Sequence, residues 1–189
     1  WRKYNMIKGY KKVFWGTILK VFHFNIGQME ILPEFIGILI VSSGIRELLD
    51  SYDNLNLRIA LKINNIKAFI SFITVILSFV GIENYFGNII ISIIWFNINC
   101  VLEIMFIVKL LKGTSEVLTE NFNAYLGNKY NNNAIIYSYL YSIVVIICNI
   151  NFVFMSRLIS FLIATYAIII ILWVAFSFRK LYKGDFQIT

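Results

Sequence analysis

Long uninterrupted apolar runs fill the second half of the chain. They cover about residues 66–80, 88–108, 134–154 and 158–178. A helix rises about 1.5 Å per residue, so about 20 apolar residues cross a hydrocarbon core about 30 Å thick. Three runs approach or reach that length, and the run at 66–80 does so when Ile82 and the turn before it are included. The runs lack the strict alternation of a transmembrane β-barrel, so they predict helices.

Two shorter apolar pieces, at about 13–24 and 31–49, come earlier in the chain. Between them lies the stretch FHFNIGQMEILPEFIG, in which Pro33 suits the first turn of a helix because no backbone donor is needed there. Glu34 complements the positive end of the same helix. The stretch is therefore predicted to be a bend between two membrane helices. A shallower arrangement stays open, because residues 13–24 span only about 18 Å as a helix and could form half of a re-entrant hairpin.

Composition agrees with a membrane protein. The chain is 59% hydrophobic and 14% charged, with a mean hydropathy of +0.75, whereas soluble domains carry about a quarter charged residues. We expect one all-α transmembrane domain over residues 1–189, a polytopic helical bundle of about six transmembrane helices in three hairpins. The predicted helices cover about residues 10–25, 32–50, 65–82, 88–111, 133–154 and 157–180.

The basic residues predict the orientation of the bundle. If residues 13–24 cross outward, all of the 17 Lys and Arg except Arg157 and Lys20 fall at one end. Cytoplasmic loops carry the excess of Lys and Arg, so that end and both termini are predicted to be cytoplasmic. The net charge of +7 then belongs to membrane loops rather than to a nucleic-acid surface. The expected partners are the lipid bilayer and a membrane or cytoplasmic protein, with no nucleic acid.

One cytoplasmic segment has an amphipathic pattern. Apolar residues of Thr114–Leu126 fall on one helical face, and Thr114 or Ser115 suits the N-cap. This predicts a separate helix over about 115–127 that lies on the inner membrane surface or docks to a cytoplasmic partner. The NKYNNN stretch after it is predicted to be a loop.

Charged residues within the apolar runs are the strongest candidates for function. Glu103 lies well inside the run at 88–111, where a charge costs about 3 kcal/mol on insertion scales and indicates a functional site by default. Asn99 shares its helical face, and Lys20 lies at middling depth in the first helix. We predict a buried Lys20–Glu103 ion pair. It either locks two helices together or serves a proton, an ion or a ligand.

A second candidate group is predicted near the outer surface. A cation or a small polar ligand could bind to this group. Its members are His23, Glu30, Glu34, Glu83 and Arg157. A metal site is weakly supported because the chain has one His, and no cofactor is predicted. The sequence contains none of the P-loop, GxGxxG, GxSxG and HExxH motifs. It therefore offers few of the catalytic groups that an enzyme would need.

Residues 14–45 read FWGTILKVFHFNIGQMEILPEFIGILIVSSGI. A short aromatic segment leads into an acidic-Ile-Leu-Pro-acidic phrase, Glu30 to Glu34, which Ile36 and Gly37 follow. This stretch resembles a family of small, uncharacterised polytopic membrane proteins of low-GC Gram-positive bacteria. The resemblance implies a location in the bacterial cytoplasmic membrane and implies no activity.

These features predict a non-enzymatic membrane subunit with a transport-associated, binding or regulatory function. Two alternatives stay open. The first is a membrane-embedded enzyme that uses Glu103 or the outer carboxylates, and the second is an immunity or stress-response protein that occupies a partner's membrane surface.

Overall fold

The computed structural model describes residues 2–21, 25–26, 29–30, 33–79 and 89–184. Its helices are α1 Arg2–Val21, α2 Pro33–Leu49, α3 Leu55–Phe79, α4 Ile89–Asn121, α5 Ala124–Phe154 and α6 Arg157–Tyr182. A minimal antiparallel pair, β1 Asn25–Ile26 and β2 Met29–Glu30, lies between α1 and α2. The predicted all-α fold class is confirmed in this part of the chain.

The six helices close into a ring. Each helix packs against the next one along the chain, and α6 packs back against α1. Aromatic side chains fill the interior, among them the fully buried Tyr10, Phe106, Tyr137 and Phe178. Many large apolar side chains of α3 to α6 instead point outward and are exposed. An apolar outer surface of this extent suits contact with lipid.

Four described helices, α3 to α6, are long and apolar enough to cross a membrane. They support a helical membrane bundle, as the sequence predicted. α1 and α2 do not belong to this set: α1 is interrupted by lysines, and α2 has only 17 residues. The helix criteria therefore support four spans and leave the predicted six without support.

Glycines bring α1 and α2 into direct backbone contact. A Cβ atom on Gly16 would lie 2.7 Å from the carbonyl oxygen of Gly37, and one on Gly44 would lie 2.7 Å from that of Gly9. Small residues allow membrane helices to approach this closely. The two glycines of each helix are seven residues apart, so they recur on one face every two turns. We call this contact the glycine seam.

The described part of α1 ends halfway along the neighbouring hairpin. α1 stops one residue after Lys20, which contacts Glu103 of α4. Glu103 lies 14 residues after the start of α4, which is about 21 Å along the helix. Lys67, which contacts the same carboxylate, lies 12 residues before the end of α3, or about 18 Å. α3 and α4 thus continue far beyond the end of α1.

The structure corrects the predicted surface helix at 115–127. α4 continues through Asn121, and the NKYNNN stretch belongs to α5 rather than to a loop. The hydroxyl of Thr114 donates to the carbonyl oxygen of Leu110 at 2.8 Å, so Thr114 extends a helix instead of capping one. The true N-cap is Asn123, whose side chain accepts from two backbone N–H groups in the first turn of α5.

α3 also begins earlier than predicted, at Leu55 rather than near residue 65. The side chain of Asn54 accepts from the backbone N–H of Leu57 at 3.0 Å and thereby caps the helix. This earlier start places Lys67 about three turns inside a helix rather than at its cytoplasmic end.

Gly16→Ala tests the glycine seam. The new Cβ would lie 2.6 Å from Cγ2 of Val41 and 2.7 Å from the carbonyl oxygen of Gly37. A backbone oxygen cannot move aside unless the helices separate. We expect a loss of about 1–3 kcal/mol, typical of overpacking, measured as a lower melting temperature in detergent. Ala164→Val, on an exposed face of α6, is the control, and equal melting temperatures would contradict the seam.

Candidate functional site

Three helices each contribute one charged side chain to a buried cluster. Nζ of Lys20 lies 2.9 Å from Oε1 and 3.0 Å from Oε2 of Glu103. Nζ of Lys67 also contacts Oε2 of Glu103. All three side chains are 7–8% exposed. The predicted Lys20–Glu103 pair is confirmed, and Lys67 makes it a lysine–glutamate–lysine cluster, hereafter the charged cluster.

The glycine seam and an aromatic ring position the two amines. A Cβ on Gly37 would lie 2.9 Å from Cγ of Lys20, so the glycine leaves room for the lysine stem. The ring of Phe106, one turn after Glu103, lies 5.3 Å from Nζ of Lys20 and 5.9 Å from Nζ of Lys67. At these distances the face of the ring attracts both cations.

The charged cluster has more positive than negative groups of its own. Among the residues that the structure describes, Glu103 is the one carboxylate in contact with both amines. Glu34, in the first turn of α2, is exposed and lies three residues before Gly37, which packs against the stem of Lys20.

A polar group continues from the charged cluster toward the N-terminal end of α3. Asn64, one turn before Lys67, is fully buried. Its Nδ2 donates to the carbonyl oxygen of Ile38 and to Oγ of Ser42, both at 2.9 Å. Ser42 in turn donates to Oδ1 of Asn65 at 2.9 Å. Oδ1 of Asn64 accepts no hydrogen bond within the described chain.

A second ionic group lies at the other end of α1 and α2. Nζ of Lys12 donates to Oγ of Ser43 at 2.9 Å and to Oε1 of Glu47 at 2.6 Å. Nζ of Lys8 lies 3.0 Å from the same carboxylate oxygen. The side chain of Lys8 is 53% exposed, so this group reaches the surface of the bundle.

The other predicted site residues do not join the charged cluster as one site. The amide of Asn99 donates to the carbonyl oxygen of Trp95 in its own helix at 2.9 Å. Arg157 begins α6 and is exposed at the α5–α6 turn. Glu30 lies in β2, where its backbone pairs with Asn25. His23 and Glu83 lie outside the described residues.

α4 and α5 hold a different kind of intramembrane polar contact. The amides of Asn97 and Asn149 donate to each other's oxygens at 2.8 and 2.9 Å. This reciprocal pair satisfies each amide oxygen and joins two helices, as expected of uncharged polar residues in a membrane bundle. It carries no charge, so it provides a structural comparator for the charged cluster.

Sequence reasoning missed two contributors to the site. The predicted start of α3 is about ten residues too late, and it therefore places Lys67 on the cytoplasmic side. The seven-residue spacing of glycines in two successive helices is readable from the sequence and indicates the α1–α2 contact. No family model, curated protein or solved structure matches this chain. The charged cluster is therefore the feature of this chain from which a function can be inferred.

Single substitutions in the charged cluster should lower the free energy of unfolding by clearly different amounts. Glu103→Leu leaves two buried cations without their carboxylate, and we expect a loss of about 3–5 kcal/mol. Lys20→Met leaves one Lys67–Glu103 pair and should cost clearly less. Replacing both lysines by Met leaves the carboxylate of Glu103 buried without a cation and should lower stability. Adding Glu103→Leu to that variant should recover much of the lost stability. Melting temperatures in detergent show the order of stability of these variants.

A Lys20→Met variant as unstable as Glu103→Leu would contradict the idea that the two lysines share one carboxylate. Asn149→Leu provides a control for removing a polar group from the membrane interior, because its partner Asn97 is uncharged.

Proposed function

We propose that this protein is a non-enzymatic integral membrane protein that acts as a transport-associated or binding subunit, with the charged cluster as its ionic site. The observation that carries the proposal is the burial of Lys20, Lys67 and Glu103 between three helices of an apolar bundle. Ionisable residues inside membranes are costly and mark ion, proton and substrate pathways. Apolar residues would join the same helices without that cost.

An enzymatic use of Glu103 has less support. Both of its carboxylate oxygens already contact lysine amines. A general base needs a lone pair directed at the proton of a substrate, and these contacts occupy the carboxylate. The arrangement favours holding or passing charge over catalysing a reaction on a bound substrate.

The proposed location is the bacterial cytoplasmic membrane, with both termini in the cytoplasm. The ring of Tyr10 stacks on that of Phe178 at 5.8 Å, so the first half of α1 and the end of α6 lie at the same end of the bundle. α6 ends in basic residues, and the first half of α1 carries several lysines. Such an excess of cations favours the cytoplasmic side. The resemblance of residues 14–45 to a bacterial membrane family supports the choice of membrane.

Within this topology we favour α1 and α2 as a re-entrant hairpin that enters from the cytoplasmic side. The end of α1 lies level with the middle of α3 and α4, and neither α1 nor α2 meets the criteria for a span. The orientation of the termini is the same for a re-entrant hairpin and for two full crossings.

Accessibility of introduced cysteines tests the topology. In a background with Cys100 and Cys148 replaced by Ala, we expect Met155→Cys to react with an impermeant thiol reagent on intact cells, because it lies at the α5–α6 turn. Lys8→Cys should react only after the cells are opened. Ile26→Cys should also stay protected in intact cells if the hairpin is re-entrant.

Labelling of Lys8→Cys on intact cells would overturn the orientation. Labelling of Ile26→Cys would instead favour the six-span form, with α1 and α2 as full crossings. The cysteine-free background shows the reagent's reaction with other groups.

A ligand screen tests the binding function. We expect at least one inorganic ion or small charged solute to raise the melting temperature of the wild type in nanodiscs. The triple variant Lys20→Met/Lys67→Met/Glu103→Leu should not respond, because it lacks the charged cluster. A ligand at 100 times its Kd stabilises by about 2.7 kcal/mol, which such a screen can resolve. Equal shifts in both proteins would place binding elsewhere and contradict the proposed site.

A further inference from the structure

Exposed lysines and arginines lie at one common level around the bundle. The charged cluster defines a reference level for α1, α3 and α4, because each of these helices contributes one of its side chains. Toward the end of the bundle where α1 begins and α6 ends, each of the three helices has a cation nine residues from the charged cluster. Nine residues correspond to about 13.5 Å along a helix. The three cations are all exposed, and they are Lys11, Arg58 and Lys112.

α5 contributes a cation at nearly the same level. Oγ of Ser115 donates to the carbonyl oxygen of Gly127 at 2.7 Å, which aligns these two residues across α4 and α5. Ser115 lies 12 residues after Glu103, and the exposed Lys129 lies two residues after Gly127 on the returning helix. Lys129 is therefore about 15 Å from the level of the charged cluster.

α6 adds a fifth cation. Tyr10 lies ten residues before Lys20, or about 15 Å along α1, and its ring stacks on that of Phe178. The exposed Arg179 follows Phe178 and so lies close to the same level. We call these five side chains the cation belt: Lys11, Arg58, Lys112, Lys129 and Arg179.

The level of the cation belt matches one boundary of a hydrocarbon core whose centre is at the charged cluster, since half of a core about 30 Å thick is about 15 Å. α6 provides an independent measure. Between Arg157 and Arg179 lie 21 uncharged residues, so these two cations are about 33 Å apart and lie at opposite boundaries. Lys62 is exposed five residues before Lys67, and its long stem can carry the amine to the nearer boundary.

Most cations of the belt have no carboxylate partner in the described part of the chain. Arg58 pairs with Asp53. The other four form no ion pair with any described residue. The carboxylate of Glu116, which lies near this level, accepts instead from the side-chain amides of Asn54 and Asn56. The described residues thus leave four exposed positive charges without an anion at one level.

The outward face of α1 indicates the kind of anion that the cation belt meets. Tyr4, Lys8, Lys11 and Trp15 are all exposed and follow the spacing i, i+4, i+7 and i+11, so they share one helical face. Tyr and Trp are enriched at membrane–water interfaces. Trp15 lies four residues beyond Lys11 toward the charged cluster, or about 6 Å deeper. A cation with an exposed indole on its acyl-chain side favours the phosphate of a lipid over a soluble anion.

We propose that the cation belt binds the phosphate groups of anionic phospholipids in the cytoplasmic leaflet. Lysines and arginines next to a membrane are attracted to the negative surface that anionic lipids give this leaflet. A zwitterionic headgroup brings a cation of its own beside its phosphate and therefore neutralises the belt less well. This surface is separate from the charged cluster, and the proposal holds whatever the charged cluster binds.

Quenching of Trp15 by brominated lipids tests the binding on α1. Replacement of the other three tryptophans by Phe leaves Trp15 as the one indole of the sequence, and brominated acyl chains quench it when they lie beside it. The full chain is reconstituted with brominated phosphatidylglycerol or brominated phosphatidylcholine, each diluted in unbrominated phosphatidylcholine. We expect phosphatidylglycerol to associate roughly fivefold more strongly, the equivalent of about 1 kcal/mol for one lysine near an anionic surface.

Substitutions at exposed positions separate a local site from the overall charge of the protein. Lys11→Gln should bring the association of the two lipids close to equal, because it removes the cation one turn from Trp15. Lys11→Arg keeps the charge and should keep the preference. Lys112→Gln is the matched control: it lowers the net charge by the same amount on another helix and should leave the quenching of Trp15 unchanged.

A second measurement tests the cation belt as a whole. In nanodiscs, phosphatidylglycerol should raise the melting temperature of the wild type above its value in phosphatidylcholine alone. The triple variant Lys11→Gln/Lys112→Gln/Lys129→Gln should show a clearly smaller rise. The triple variant with Arg at the same three positions keeps the charges and should respond as the wild type does.

Equal association of the two lipids beside Trp15 in the protein with Lys11 intact would overturn the proposal. So would a preference that Lys11→Gln retains, or that Lys112→Gln abolishes to the same extent. Inorganic phosphate that stabilises the wild type in neutral nanodiscs as much as phosphatidylglycerol does would assign the belt a soluble anion and also overturn it. The ligand screen of the charged cluster is unaffected by these outcomes, because both proteins in that screen have the same cation belt.

Discussion

The contact of two lysines with one glutamate in the interior of an apolar bundle constrains the rest of the fold. Lys20, Lys67 and Glu103 can meet only if α1, α3 and α4 hold one relative depth, because a buried charge without its partner is far more costly than a buried pair. The glycine seam also helps to hold Lys20 at this depth, since it lets α2 pack against the stem of Lys20. The helix registers, the depth of the α1–α2 hairpin and the candidate site all depend on this contact.

The two halves of the ring differ in what their interiors contain. Charged and polar side chains line the contacts among α1, α2 and α3, including Asn64 and the Lys12–Glu47 pair. The contact between α4 and α5 has the neutral Asn97–Asn149 pair, and that between α1 and α6 is dominated by aromatic rings such as Tyr10 and Phe178. The second half therefore resembles an ordinary helix-packing scaffold. The first half, together with Glu103 of α4, supplies the charged groups of the candidate site.

Thr114 and Asn123 show why local sequence signals misplace a helix boundary. Thr114 and Ser115 precede Glu116, and a hydroxyl followed by an acidic residue is a usual signature of a helix start. The same hydroxyl can instead bond the carbonyl oxygen one turn earlier and extend the helix, as it does here with Leu110. Packing decides between the two, because Gly113 lets α4 lie close against Leu57 of α3. No rule based on neighbouring residues contains that contact.

The all-α class, the membrane setting and the candidate Glu103 can be read from the amino-acid pattern, because hydrocarbon permits few backbone structures and makes a buried charge conspicuous. The pattern also suggests Lys20 as the partner, since few cations lie at suitable depth. Tertiary structure alone decided that Lys67 joins them, that α1 stops beside the middle of α4, and that Oδ1 of Asn64 is left open. Each of these depends on the relative shift of two helices along their axes. That shift is set by side chains meeting across an interface, and residues distant in the chain meet only when the whole ring closes.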